Sequence, residues 1–120
     1  MRIIVDLDGT ICPIKKEGES YKDLSVLPNA AEKLRELRSQ GHYIIIQTAR
    51  NMATCESNLG KVIKNVGKIT LDWLEKNEIE YDEIFFGKPN GEIYIDDRAF
   101  RFESWDSINE NTIKSLAKAK

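Results

Sequence analysis

The chain has 120 residues, enough for one domain with a real core and too few for two of ordinary size. Eighteen basic and twenty acidic residues leave a net charge of −2, which argues against a dominant nucleic-acid or membrane footprint. Cys12 and Cys55 stand far apart and His42 is the lone histidine, which disfavours a disulfide framework, a zinc site and histidine-pair chemistry.

The spacing predicts alternating strands and helices. Arg2 to Leu7 is a short β-branched run ending at Asp8-Gly9, as in a strand buried on both faces. Pro13 to Ser25 is polar and mixed in charge, and reads as a loop or flap. Asn29 with Glu32 forms a capping box for a helix carrying Ala30, Leu34 and Leu37, stopped by Gly41. Tyr43 to Gln47 is a second strand, followed by Thr48-Ala49-Arg50. Asn51 to Asn77 is helical by the spacing of Val62, Val66, Ile69 and Trp73, although Gly60 and Gly67 weaken it. Glu83 to Phe86 is a third strand ending at Gly87-Lys88-Pro89. After the Asn90-Gly91 turn, Ile93 to Ile95 is a fourth strand ending at Asp96-Asp97. Ser107 with Glu110 caps a last helix running toward Ala119. No run is long enough for a signal peptide or a spanning helix, so a reducing cytoplasm is the expected setting.

This order predicts an α/β fold: a three-layer, Rossmann-like, mainly parallel sheet with helices on both faces. Ligands bind such sheets beyond the carboxyl ends of the strands. Every predicted strand here ends there in a capable group: Asp6 and Asp8, Thr48, Lys88, Asp96 and Asp97. Crowded carboxylates repel, and a divalent cation relieves them. Hard oxygen donors without His or Cys point to Mg²⁺. Lysine and threonine beside such a site suit a phosphoryl group. Taken alone, Asp8-Gly9 is a turn, Asp96-Asp97 a cap, and Lys88-Pro89 a loop; their joint position at one rim gives them chemical meaning.

Asp6-Leu7-Asp8-Gly9-Thr10 resembles motif I of the haloacid dehalogenase superfamily. Thr48 after Ile44-Ile45-Ile46-Gln47 resembles motif II, Lys88 motif III, and Asp96-Asp97 after Ile93-Tyr94-Ile95 motif IV. "TARN", "GKP" and "YIDDRA" further resemble small capless members linked to bacterial capsule and O-antigen biosynthesis.

The resemblance implies a phosphatase. Asp6 is then the nucleophile and Asp8 the general acid and base. Gly9 lets the backbone turn beneath the phosphate. Thr48 and Lys88 hold phosphoryl oxygens, with Ala49, Arg50 and Asn51 as candidate substrate contacts. Asp6, the Asp8 carbonyl and Asp96 then hold Mg²⁺, and Asp97 acts behind them or through a bound water. Thirty-nine residues separate Asp8 from Thr48, and thirty-nine separate Thr48 from Lys88, so neither gap holds a cap domain. Residues 1–120 thus read as one capless domain with an open site, or one closed by a neighbouring protomer in an oligomer. The resemblance favours a sugar phosphate or related small metabolite as substrate.

Two alternatives compete. A nucleic-acid end phosphatase shares the capless form, but the acidic balance counts against it. A receiver-like signalling domain also carries a phosphoaspartate, an acidic pair, Thr and Lys-Pro. Its acidic pair comes first, however, and its nucleophile follows the middle strand; no aspartate occurs here between Asp23 and Asp72. Lys15, Lys16 and Tyr21 of the flap are weaker candidates for leaving-group contacts, and Lys61, Lys64 and Lys68 for an anion patch. His42, Trp73 and Trp105 read as structural.

Overall fold

The computed structural model describes residues 1–118. Three parallel strands, β1 (Arg2–Asp6), β2 (Tyr43–Thr48) and β3 (Glu83–Phe86), form a sheet in the order β1-β2-β3. Val5 lies beside Ile46, and Ile46 beside Ile84. The β-branched residues at these positions suit a pleated, buried surface.

Helix α1 (Ala30–Ser39) connects β1 to β2. α2 (Leu59–Val62) passes through a π-helical turn (Ile63–Gly67) into α3 (Lys68–Lys76), which leads to β3. Two right-handed crossovers stepping the same way along a sheet put their helices on the same face. That is where they pack. Val5, Ile44 and Ile46 join Leu34 and Leu37 of α1 and Trp73 and Leu74 of α3 in one buried cluster. Each fully buried side chain of this kind contributes about 1.5–3 kcal/mol. The Trp73 indole N–H donates to the Leu24 carbonyl at 2.8 Å and ties the flap to α3.

The opposite face differs from the expectation of helices on both sides. Its residues alternate with the buried ones, and Ile4, Tyr43 and Phe85 stay exposed while the central Ile45 is buried. The physical reason lies in the chain after β3. Only Gly87 to Glu92 precede the Ile93–Ile95 run, so there is no crossover helix to cover this face. Ile93–Ile95 itself forms no strand: it lies in an exposed arm, with Ile95 97% accessible. A strand is stable only with a pairing partner, and the described chain gives this one none.

The chain returns at Phe102 and Trp105. Their rings meet edge to face with centroids 5.6 Å apart, and the Trp105 N–H donates to the Thr10 carbonyl. α4 (Glu110–Lys118) then docks, with Ile113 against the core and Glu110 Oε1 3.4 Å from His42 Nε2.

Two expected caps are replaced. Asn29 has φ 67° and makes no cap; its amide donates to Asp106 instead. Asn109, not Ser107, accepts from the Thr112 N–H at the start of α4, because Ser107 is held in a 3₁₀ turn (Trp105–Ser107). The expected helix start at Asn51 also shifts. Asn51, Glu56 and Ser57 all have positive φ, and Asn58 caps α2 by accepting from Lys61 N. Among the described residues no helix is long and apolar enough to cross a membrane.

Candidate active site

The carboxyl ends of β1, β2 and β3 bring together Asp6, Asp8, Thr48, Arg50 and Lys88. Beyond β1 the backbone wraps around the Leu7 carbonyl, which accepts from the N–H groups of Thr10, Ile11 and Cys12. Gly9, at φ +88°, closes this turn, a conformation that L side chains rarely adopt. The turn projects Asp8 toward β2.

Asp8 is densely held. The Thr48 hydroxyl donates to Oδ2 at 3.2 Å, and Arg50 Nε lies 3.0 and 3.1 Å from the two oxygens. Arg50 Nη2 adds an ion pair at 3.0 Å, and the Cys12 thiol lies 3.6 Å from Oδ1. Arg50 thus holds the carboxylate through a shared Nε–H on both oxygens, a charge-assisted contact, while Nη2 also reaches Cys12 Sγ at 3.5 Å. Its own side chain is only 1% exposed. Nη1 donates to Thr70 Oγ1 at 3.0 Å, and the guanidinium stacks 4.0 Å from the Tyr21 ring centroid. Burial and the Asp8 charge push the Cys12 thiol up to about 12, so it stays protonated.

Asp6 has a separate cation partner. Lys88 Nζ lies 3.4 Å from its Oδ1. Burial raises the Asp6 carboxyl above its ordinary range, outweighing the opposing pull of Lys88; the nearby Asp8 charge adds a smaller push upward. Lys88 is set by its backbone: the N–H groups of Gly87 and Lys88 both donate to the Thr48 carbonyl, at 3.2 and 3.1 Å. Its ammonium also sits 4.1 Å from the Tyr94 ring centroid.

The predicted residues therefore divide. Asp6, Asp8, Gly9, Thr48 and Lys88 share one rim. Ala49 and Asn51 border it, with Asn51 Oδ1 accepting from Asn65 at 3.4 Å. Arg50, expected as a substrate contact, is instead packed behind Asp8, because a guanidinium loses its hydration there only where carboxylate, hydroxyl and ring replace it. Tyr21 belongs to that support, not to a leaving-group pocket. Asp96 and Asp97 are exposed in the arm, and Asp96 Oδ1 accepts from Arg98 N at 2.8 Å. Among the described residues no three His, Cys, Asp or Glu side chains converge as a metal cluster. Lys61, Lys64 and Lys68 lie on an exposed face, and Lys68 pairs with Asp72.

Sequence reasoning missed the supporting set of Arg50, Tyr21, Thr70 and Cys12. The available signal was Arg50 itself, a charge at the end of a buried strand.

The sequence profile of the haloacid dehalogenase-like hydrolases matches residues 3–119. The chain belongs to that family. It is therefore an enzyme, built on the family's α/β core without a cap. A crystal structure of a Vibrio cholerae structural-genomics target is 41% identical to the hydrolase, with a TM-score of 0.86, covering 99% of this chain and 98% of that one. A D,D-heptose 1,7-bisphosphate phosphatase from B. bronchiseptica, complexed with magnesium and phosphate, is also similar. It is 18% identical, has a TM-score of 0.49, and covers 76% of the hydrolase and 51% of its own chain. No curated protein matches the hydrolase.

Proposed function

We propose that the hydrolase is a phosphatase that cleaves a phosphomonoester through a phosphoryl group carried on Asp6. The observation that supports this most is the pairing at the rim: Asp6 beside Lys88 Nζ, with Asp8 held separately by Thr48 and Arg50.

The Asp6 carboxylate attacks phosphorus, and the bond to the leaving oxygen breaks as Asp8 gives that oxygen a proton. Asp8 then takes a proton from water, whose oxygen attacks phosphorus. The acyl phosphate breaks, freeing Asp6 and inorganic phosphate. Lys88 offsets charge on Asp6 and the phosphoryl oxygens, and Thr48 offers its hydroxyl to the same group. Gly9, Ala49 and Asn51 line the approach. Arg50 acts through Asp8, fixing where its carboxylate points.

Asp6, the Asp8 carbonyl, Asp96 and Asp97 are the hard oxygen donors that suit Mg²⁺, which would offset the charge of the phosphoryl group. They fit in chemistry, but one chain does not bring them together in space.

The substrate we propose is a phosphorylated sugar or related small metabolite of surface-polysaccharide synthesis. The support is the resemblance of "TARN", "GKP" and "YIDDRA" to capless members of that kind. Residues 1–120 act as one unit in a cytoplasmic, non-membrane setting.

The test is phosphate release from a panel of sugar phosphates, nucleotides and phosphorylated oligonucleotides, with Mg²⁺, with chelator, and with Asp6→Asn. The expected result is Mg²⁺-dependent release, greatest on sugar phosphates and absent in the variant. Release that survives Asp6→Asn contradicts the mechanism, and preference for oligonucleotides contradicts the substrate.

A further inference from the structure

β1 carries the proposed nucleophile, yet it is an edge strand. The Leu7 N–H donates to the Gln47 carbonyl and the Tyr43 N–H to the Met1 carbonyl. In a parallel ladder this alternation turns the N–H and C=O groups of Arg2, Ile4 and Asp6 away from β2. They form an open edge, with Ile4 59% exposed. Unpaired edges of this kind template another strand.

The arm has the complementary character. Glu92-Ile93-Tyr94-Ile95-Asp96 is a strand-type run, flanked by Gly87, Pro89 and Gly91, and Ile93 is 69% exposed. To bring Asp96 beside Asp6, this run must lie parallel to β1, with Ile93 level with Ile3.

The chain's own arm cannot reach that position. Six residues, 87–92, separate β3 from Ile93, and fully stretched the seven steps from Phe86 to Ile93 span about 24 Å. The path must cross three strand spacings, about 14 Å, descend about 13 Å along the strand, and clear a layer of side chains. A parallel crossover takes about a dozen residues or more. Entry from the near end is reachable, but the run would then be antiparallel and would carry Asp96 to the amino end of the sheet, away from Asp6.

We infer that the arm crosses to a second copy of this chain, where Ile93–Asp96 adds to the open edge of β1 and supplies Asp96 and Asp97 to the partner's Asp6 site. Two copies related by a two-fold axis exchange arms reciprocally, so one geometry completes both sites and covers both edges. In this register Ile93 and Ile95 lie on the face of Ile3 and Val5, and Tyr94 lies beside the exposed Ile4 on the other face. The open edge and the unpaired run stand on the geometry; the parallel register and the metal-completing role rest on the proposed function of Asp96 and Asp97.

Two experiments test this. Chains carrying Ile4→Cys and Tyr94→Cys, differently tagged, are co-expressed and treated with a short bismaleimide. The native thiols are buried, and the wild-type chain is the control. Exchange predicts a cross-linked species containing both tags, at twice 13.8 kDa. Cross-linking confined to single chains of the double variant would show that the arm folds back on itself, and no cross-linking at all would show that it pairs with neither edge; both overturn the inference.

The second experiment co-expresses Asp6→Asn with Asp96→Asn, each inactive alone. Exchange predicts recovery of about one quarter of wild-type turnover, since half of the randomly assembled dimers hold one intact site. No recovery overturns the shared site. If the wild-type chain releases no phosphate, the functional reading fails, and the cross-link still decides the exchange.

Discussion

At Arg50 a single guanidinium serves Asp8, Thr70, Cys12 and the Tyr21 ring at once. Removing it strands the Asp8 carboxylate among groups arranged for a cation. Arg50→Ala is expected to cost about 2–3 kcal/mol in urea denaturation, below the ~3–5 kcal/mol of a fully buried pair because Asp8 keeps a wet edge. Arg50→Lys keeps the charge but not the planar group that reaches Asp8, Thr70 and Cys12 together, so kcat is expected to fall while KM holds. An unchanged kcat in a folded Arg50→Lys variant would mean that Arg50 does not aim Asp8. At Asp8 the hydrogen bonds serve proton transfer, and Asp8→Asn is expected to lower kcat by about 10²–10⁴-fold and, by leaving the buried Arg50 guanidinium without its counter-charge, to lower stability as well. The rim residues were legible in the sequence because carboxylate, hydroxyl and ammonium groups stand at strand ends. The role of Arg50 was not: whether a guanidinium faces substrate or packs behind a carboxylate depends on Tyr21 and Thr70, which are distant in sequence.

β1, β2, β3 and α1 follow from local hydrophobic periodicity, and here sequence and structure agree within a residue or two; the helix expected from Asn51 begins only at Leu59. The Ile93–Ile95 run has the same composition and no strand. Its pairing is non-local, and the six preceding residues decide what it can reach. Gly87 begins that segment. It has φ +102°, and a Cβ there would come within 2.6 Å of a Leu59 methyl. Gly87→Ala is therefore expected to cost about 1–3 kcal/mol of stability and to lower turnover by displacing Lys88. Leu59→Ala in the same chain should relieve the clash but not the strained φ, so partial recovery in thermal unfolding is the predicted outcome.

At the other end of the sheet, Asp82 accepts from the Ile44 N–H and from Arg38, which hold its carboxyl below its ordinary 3.8. A lowered folded value means the stabilisation is complete above about pH 4 and is lost as pH falls through the folded value. Asp82→Asn should flatten the acid limb of a stability–pH curve; an acid limb identical to wild type would contradict this.

For the whole molecule, the short β3-to-arm connection has two consequences. One sheet face lacks a helical layer, and the acidic pair at Asp96-Asp97 is separated from Asp6 within one chain. Composition and charge say nothing of either, since both follow from chain reach. A single chain's site should bind Mg²⁺ weakly. Dilution that separates copies is accordingly expected to lower specific activity, and chelator to abolish release at every concentration. Specific activity independent of dilution, in a chain shown by sedimentation to dissociate over that range, would contradict the shared site.

Asp6 is the group proposed to take the phosphoryl. The most direct measurement is a single-turnover reaction on the preferred substrate, quenched in acid, with the phosphoryl group mapped by mass spectrometry. The expected result is an acid-stable, base-labile phosphoryl group on the peptide containing Asp6, absent in Asp6→Asn. Phosphate release with no phosphorylated chain at any time, or with the label on another residue, would contradict it.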